Sequence, residues 1–192
     1  MTVSEYTRNY LNGSIAITQQ INQVDYNKLL EEFLKLKHRQ GRLFIIGVGG
    51  SAANCSHAVN DFRKLCNIET YAPTDNVSEL TARTNDEGWD TVFSKWLKTS
   101  RLNKNDAILV FSVGGGNLEK NISSNIVSAL QYGQEVGTPI LGIVSRDGGY
   151  TKKVATACVL IPTISDTTIT PYAESFQGLL WHGIVNYPEL KE

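Results

Sequence analysis

Four short runs of apolar, largely β-branched residues punctuate the chain: Leu43–Gly47, Ile108–Phe111, Ile140–Val144 and Cys158–Ile161. Such continuous runs read as strands buried on both faces. A weaker fifth run lies near Glu69–Ala72. Mixed segments of helical length separate the runs. This alternation predicts an α/β fold, a central parallel β-sheet flanked by helices on both faces. Two helices, at about 3–22 and 26–39, precede the first strand. Val3, Tyr6, Tyr10, Ile17 and Ile21 form one stripe of the first; Leu29, Leu30, Phe33, Leu34 and Leu36 line the second, and Gly41 supplies a stop. A sheet of this size needs only some of these helices, so the surplus apolar face of the first predicts a subunit interface. The chain reads as a single domain over 1–192, with an N-terminal helical extension at 1–40 and a sheet-and-helix core at 41–188. No repeat, low-complexity tract or linker interrupts it.

Ligands of open parallel sheets gather beyond the carboxyl ends of the strands. Three turns fall there: Gly47-Val48-Gly49-Gly50-Ser51, Ser112-Val113-Gly114-Gly115-Gly116-Asn117 and Ser145-Arg146-Asp147-Gly148-Gly149. A turn of small residues entering a helix leaves backbone N–H groups free to receive an anion. Gly49, Gly50, Gly114 and Gly115 allow close backbone approach, while Ser51, Ser112 and Asn117 add polar side chains, with Ser123 and Ser124 further along. A lone serine at a helix start is more often an N-cap. Two such turns together point to a phosphorylated small molecule.

Composition narrows the partners. With 192 residues and a formal net charge of -1, the chain has no global attraction to nucleic acid or an anionic membrane, and neither is expected as a partner. Anion binding is then local, from backbone dipoles and hydroxyls. Cys55, Cys66 and Cys158 are odd in number and lack CxxC spacing, which fits free thiols in a reducing compartment. The N-terminus lacks the pattern of a secretory signal, and no apolar run approaches the roughly 20 residues that span a bilayer. A cytoplasmic protein is expected.

Two nucleotide readings compete for the first turn. A Walker loop requires GxxxxGK[ST], and no Lys follows these glycines. A dinucleotide fold is the closer rival, an NAD-dependent oxidoreductase, because Gly47, Gly49 and Ala52 satisfy GxGxx[GA] and Glu69 follows at a suitable distance. Glu69 would, however, open a poor strand, whereas the ribose-binding acid belongs at a strand's end. No nucleotide cofactor is expected.

The turn Gly47–Ser51, His57 six residues later, Thr84-Asn85-Asp86-Glu87-Gly88-Trp89, Ser112 through Asn117, Asp147-Gly148-Gly149 and Glu174 with His182 together resemble the sugar-isomerase (SIS) domain family. Within it the chain is most similar to the phosphoheptose isomerases. The resemblance implies isomerisation of sedoheptulose 7-phosphate to an aldoheptose 7-phosphate for nucleotide-heptose and surface-polysaccharide synthesis. It also implies a homo-oligomer, a tetramer, whose active sites are shared between subunits. Such a reaction requires a base, a group that shuttles protons on the oxygens, and stabilisation of an enediolate.

His57 and Asp61 are four apart, on one helix face. Glu174 and His182 are eight apart, about two turns, so they too can share a face. By resemblance, His57, Asp61, Glu174 and His182 form a set able to bind zinc, and His182 moves the proton with Asp61 or Glu174. Gly49, Gly50, Ser51, Ser112, Gly114, Gly115 and Asn117 hold the phosphate, and a loop carrying Asn85 and Asp86 holds sugar hydroxyls. Three positions depart from the family pattern: Asp61 stands for Glu, Glu174 for Gln, and Val48 for Asn. The sequence leaves open whether Glu174 completes a metal site or replaces a shortened Asp61 as base. It also leaves open a catalytically inactive phosphosugar sensor or scaffold. His38 reads as a complement to a helix dipole, and Arg63 and Lys64 as solvated.

Overall fold

Alternate residues of each apolar run enter different cores. In the computed structural model, which describes residues 1–191, Leu43 and Ile45 join one buried cluster and Phe44 and Ile46 the other. Leu109 and Phe111 likewise oppose Ile108 and Val110. A strand with both sides covered cannot alternate with polar residues, which is why the runs are continuous.

Five strands form the sheet: β1 (Leu43–Ile46), β2 (Thr70–Tyr71), β3 (Ala107–Ser112), β4 (Ile140–Ser145) and β5 (Ala157–Ile161). Every pairing is parallel, in the order β2-β1-β3-β4-β5. Helices α1 (Val3–Gln20), α2 (Gln23–His38), α3 (Gly50–Cys66) and α8 (Ile169–Val185) belong to the first cluster. Helices α5 (Val92–Thr99) and α6 (Ser124–Val136) belong to the second, with α4 (Val77–Glu87) and α7 (Gly149–Val154) at its margin. The expected layers and all five strands are therefore present, β2 being only two residues long.

The order also tests the dinucleotide reading. A 2-1-3-4-5 sheet differs from the 3-2-1-4-5-6 order of the dinucleotide-binding folds, and Glu69 precedes β2 instead of ending it. Glu69 accepts a hydrogen bond from the Tyr71 hydroxyl at 2.9 Å. What the order does create is a switch point between β1 and β3, where the connections leave in opposite directions.

At the amino ends of the same strands, Asp106 ties β1 to β3. It is 2% exposed and accepts from the Arg42 N–H (3.0 Å) and from Arg42 Nε (3.1 Å) and Nη2 (2.8 Å). Asn103 donates to it twice more, at 3.0 and 2.8 Å.

The first helix is the least embedded. Only Gly13 and Ile17 of α1 are buried, and Tyr10 stacks on Tyr172 of α8 at 4.8 Å. Val3, Tyr6, Leu11 and Ile15 stay exposed. Among the described residues no helix is long and apolar enough to cross a membrane. All three cysteines are free thiols.

Candidate active site

Where β1 and β3 end at the switch point, the chain turns twice into glycine-rich loops, and a cavity of about 740 Å³ opens between them. Ser51 and Ser112 both line it, as do Val48, Gly114, Asn117 and Ser123. The two turns predicted to converge therefore meet on one space.

Local geometry decides which of their polar groups are free. Gly49 occupies the N-cap of α3 with φ 65°, a conformation that disfavours any side chain. The Ala52 and Ala53 N–H groups turn back to its carbonyl at 3.0 and 3.3 Å. Among the described residues the N–H groups of Gly50 and Ser51 find no acceptor, so they remain for an anion. Among those residues the Ser51 hydroxyl likewise has no hydrogen-bond partner. In the second turn, Ser112 Oγ accepts the Gly115 N–H at 3.0 Å and keeps its own proton to donate. Gly115 is thus a structural element of the turn, its N–H already taken. Asn117 closes a small hairpin with Ile122 through bonds of 2.8 and 3.0 Å, and its Oδ1 accepts the Lys120 N–H. Only its amide Nδ2 is left for a ligand.

A second cluster lies along the flank of α3. His57 Nε2 is 3.8 Å from Asp61 Oδ2, and His182 Nε2 is 3.7 Å from the same oxygen. The three ligand atoms fall within 4.8 Å of one another. His182 Nδ1 lies 2.7 Å from the Gly178 carbonyl, which can only accept, so Nδ1–H donates to it and Nε2 is left facing Asp61. Two imidazoles and one carboxylate, one imidazole already oriented, form a fit donor set for zinc with a coordination position left open. The Trp181 ring packs against both histidines, at 4.7 and 3.5 Å between centroids.

Glu174 does not join this cluster. Its carboxyl group lies against Gly50, where a Cβ would come within 2.5 Å of Glu174 Cδ. The reason is that α8 runs beside α3 in the same direction. Glu174 therefore pairs with the first turn of α3, Gln177 with Asn54 (3.0 Å) one turn on, and His182 with Asp61 further down. Eight residues of helix separate Glu174 from His182 by roughly 12 Å along the axis. Of the four residues expected to hold a metal, the structure brings three together, and Glu174 lies apart from them, one turn along α8 from the cavity-lining Thr170.

Asn85 and Asp86 require a correction as well. They lie on α4, not in a loop, with Asn85 Nδ2 donating to Asp86 Oδ1 at 2.7 Å, and neither lines the cavity of its own chain. The Asn76 side chain caps α4 at the Glu79 N–H, and Arg83 bridges Glu79 (2.8 Å) and Glu87 (3.2 Å) across successive turns. These pairs carry the helix to Gly88, whose φ of 88° ends it. Two further lining residues, Lys120 and Arg146, were not read as functional. Arg146 follows directly on β4, a position that could have marked it; Lys120 gave no signal.

No protein-family model matches this chain. The lincomycin biosynthesis protein LmbN of Streptomyces lincolnensis is 29% identical over 77% of the chain, which spans about half, 55%, of that longer protein. The phosphoheptose isomerase of Pelobacter propionicus is 31% identical over 148 residues, 74% of this chain and 72% of its own length. The chain belongs to the phosphoheptose isomerase family. A solved structure of the phosphoheptose isomerase of Neisseria gonorrhoeae shares the fold of this family member at a TM-score of 0.82, with 23% identity over 96% of this chain and 98% of that one. The five-stranded parallel sheet and its helical layers are thus those of the family.

Proposed function

We propose that this chain isomerises sedoheptulose 7-phosphate to an aldoheptose 7-phosphate, working in the cytoplasm as a homotetramer. One observation carries the reading: the phosphate-type cavity and the imidazole–carboxylate cluster are served by a single helix. Ser51 opens into the cavity, and His57 follows six residues later, roughly 9 Å along α3. That separation suits an extended seven-carbon phosphate ester, with its phosphate between the two glycine turns and its carbonyl end at the cluster.

In the reaction, a base takes a proton from C1 of the ketose, the C1–C2 enediolate forms, and a proton is returned to C2. Protons on O1 and O2 exchange in the same sense. His182, with Nδ1 held by Gly178, presents Nε2 for these transfers. Asp61 lies within 3.8 Å of both imidazoles, while Glu174, at the level of Gly50, faces the part of the sugar closer to the phosphate. As the alternative to proton transfer at His182 Nε2, His57, Asp61 and His182 would hold zinc with the same Nε2 as a ligand, and the metal would then supply Lewis-acid polarisation of the carbonyl.

His57 and His182 are about half exposed in a single chain, and the cluster does not line the cavity. A neighbouring subunit that covers them would exclude water, and the exposed apolar face of α1 is the surface to bring it there. In such an assembly Asn85 and Asp86 would act on a neighbour's site. The test is turnover of sedoheptulose 7-phosphate by the purified protein in deuterated water, followed by NMR. Deuterium at C2 of the product is expected. Absence of turnover with and without zinc, despite sugar-phosphate binding, would replace this reading by the sensor. His182→Ala should lower kcat by about 10²–10⁴-fold while preserving phosphate affinity; near-normal turnover would remove His182 from the mechanism.

A further inference from the structure

Two cations share the cavity with the serines. Lys120 and Arg146 both line it, together with a single carboxylate, Asp147. The side chains of Lys120 and Arg146 have no ion-pair or hydrogen-bond partner among the described residues, whereas Arg42, Arg83 and Lys35 are each paired. Asp147 is turned to its own loop, with Oδ1 accepting the Gly149 N–H at 3.0 Å. The lining itself, in a chain whose overall charge is -1, thus carries one more cation than carboxylate, with the Glu174 carboxyl group against Gly50 beyond it.

Arg146 is held in place by the backbone. Its φ is 55°, an uncommon conformation for a residue other than glycine. Neighbouring residues fasten its loop to the turn that carries Ser112. Ser145 N–H donates to the Val113 carbonyl at 3.1 Å, Tyr150 N–H to Gly116 at 2.7 Å, and Thr151 N–H and Oγ1 to Gly115 at 2.9 and 2.8 Å. Gly149 passes so close that a Cβ would strike the Gly114 and Gly116 carbonyl oxygens. The aliphatic stem of Arg146 then runs beside Gly114, its Cδ 3.9 Å from where a Cβ of that glycine would sit. Lys120 lines the cavity from the bridged hairpin Asn117–Ile122.

We propose that Arg146 and Lys120 form a cationic clamp on a dianionic phosphate monoester, Arg146 as the fixed jaw and Lys120 as the one borne on the hairpin. The assignment rests on the isomerase reading for the identity of the sugar, but not for the anion itself. It extends the sequence-based expectation, in which backbone dipoles and hydroxyls alone held the phosphate. The guanidinium offers paired N–H donors to two phosphate oxygens, and the ammonium offers a point charge. Affinity that depends on such a clamp is screened by salt.

The test uses the whole chain, with inorganic phosphate as calorimetric probe and sedoheptulose 7-phosphate as substrate. Arg146→Met should weaken phosphate binding by about tenfold or more, Lys120→Met by less, and the double variant should lose most of the salt dependence of the wild type. Arg146→Lys should recover part of the loss. With the substrate, the rise in KM should exceed any fall in kcat. Phosphate affinity within twofold of wild type in the double variant would overturn the clamp even if isomerisation is observed. So would a wild-type protein that binds no phosphate at all. Conversely, loss of phosphate binding in the variants would uphold it even if no heptose phosphate is turned over.

Discussion

Ser51→Ala isolates one phosphate contact cleanly. The serine stands at the second position of α3, is 1% exposed and lines the cavity, and its hydroxyl has no hydrogen-bond partner among the described residues. Its removal strands no internal donor or acceptor, and alanine suits a helix at least as well as serine. The folded state should therefore keep its stability to within about 0.5 kcal/mol. A hydrogen bond from a hydroxyl to a charged group contributes about 1.5–3 kcal/mol, so affinity for a sugar phosphate should fall roughly 10- to 150-fold. Ser112→Ala provides the contrast. That hydroxyl also accepts the Gly115 N–H, so the variant should lose affinity and about 1–3 kcal/mol of stability together. Calorimetric titration and urea denaturation of both variants measure the two quantities separately. Ser51→Ala with affinity within twofold of the wild type would refute the argument that this cavity receives the phosphate.

Other substitutions probe the frame around the site. Gly149→Ala forces a Cβ against two carbonyl oxygens at φ 51°, and should cost about 2 kcal/mol or more by urea denaturation while weakening phosphate binding; an unchanged midpoint would show that the two turns are not locked together. Asp106→Ala leaves the Arg42 guanidinium without its carboxylate and should cost about 3 kcal/mol, read as a lowered Tm; a loss below 1 kcal/mol would contradict the clamp between β1 and β3. Burial pushes the Cys66 thiol up to about 11 and the Cys158 thiol up to about 12. Unfolded thiols ionise near pH 8.5, so above that pH the unfolded chain binds fewer protons than the folded one, and stability should fall as pH rises toward 11. A denaturation midpoint that stays level or rises across that interval would contradict the burial of these thiols.

Much of the fold was legible because its causes are local. Period and length alone mark β1, β3, β4 and β5 as strands covered on both sides, and the glycines after β1 and β3 mark turns that only small residues can make. The Gly49 φ and the approach of Glu174 to Gly50 are the physical content of those glycines. His57 and Asp61 were legible as a pair because four residues of helix bring them to one face. Asn85 and Asp86 misled because Asn-Asp-Glu-Gly has turn chemistry, while the capping by Asn76 and the Arg83 ion pairs extend α4 through it.

What the chain's own order of residues determined, then, is the set of strands, the glycine turns and the i, i+4 pairs, since each follows from backbone geometry within one element. Only the tertiary structure decided which of these meet. The parallel run of α8 beside α3 brings His182 to Asp61 and carries Glu174 away to Gly50, and the fastening of the β4 turn to the β3 turn lays Arg146 beside the serines. Both depend on how the layers pack, and contacts between residues from about 30 to more than 120 positions apart leave no periodic trace in a sequence.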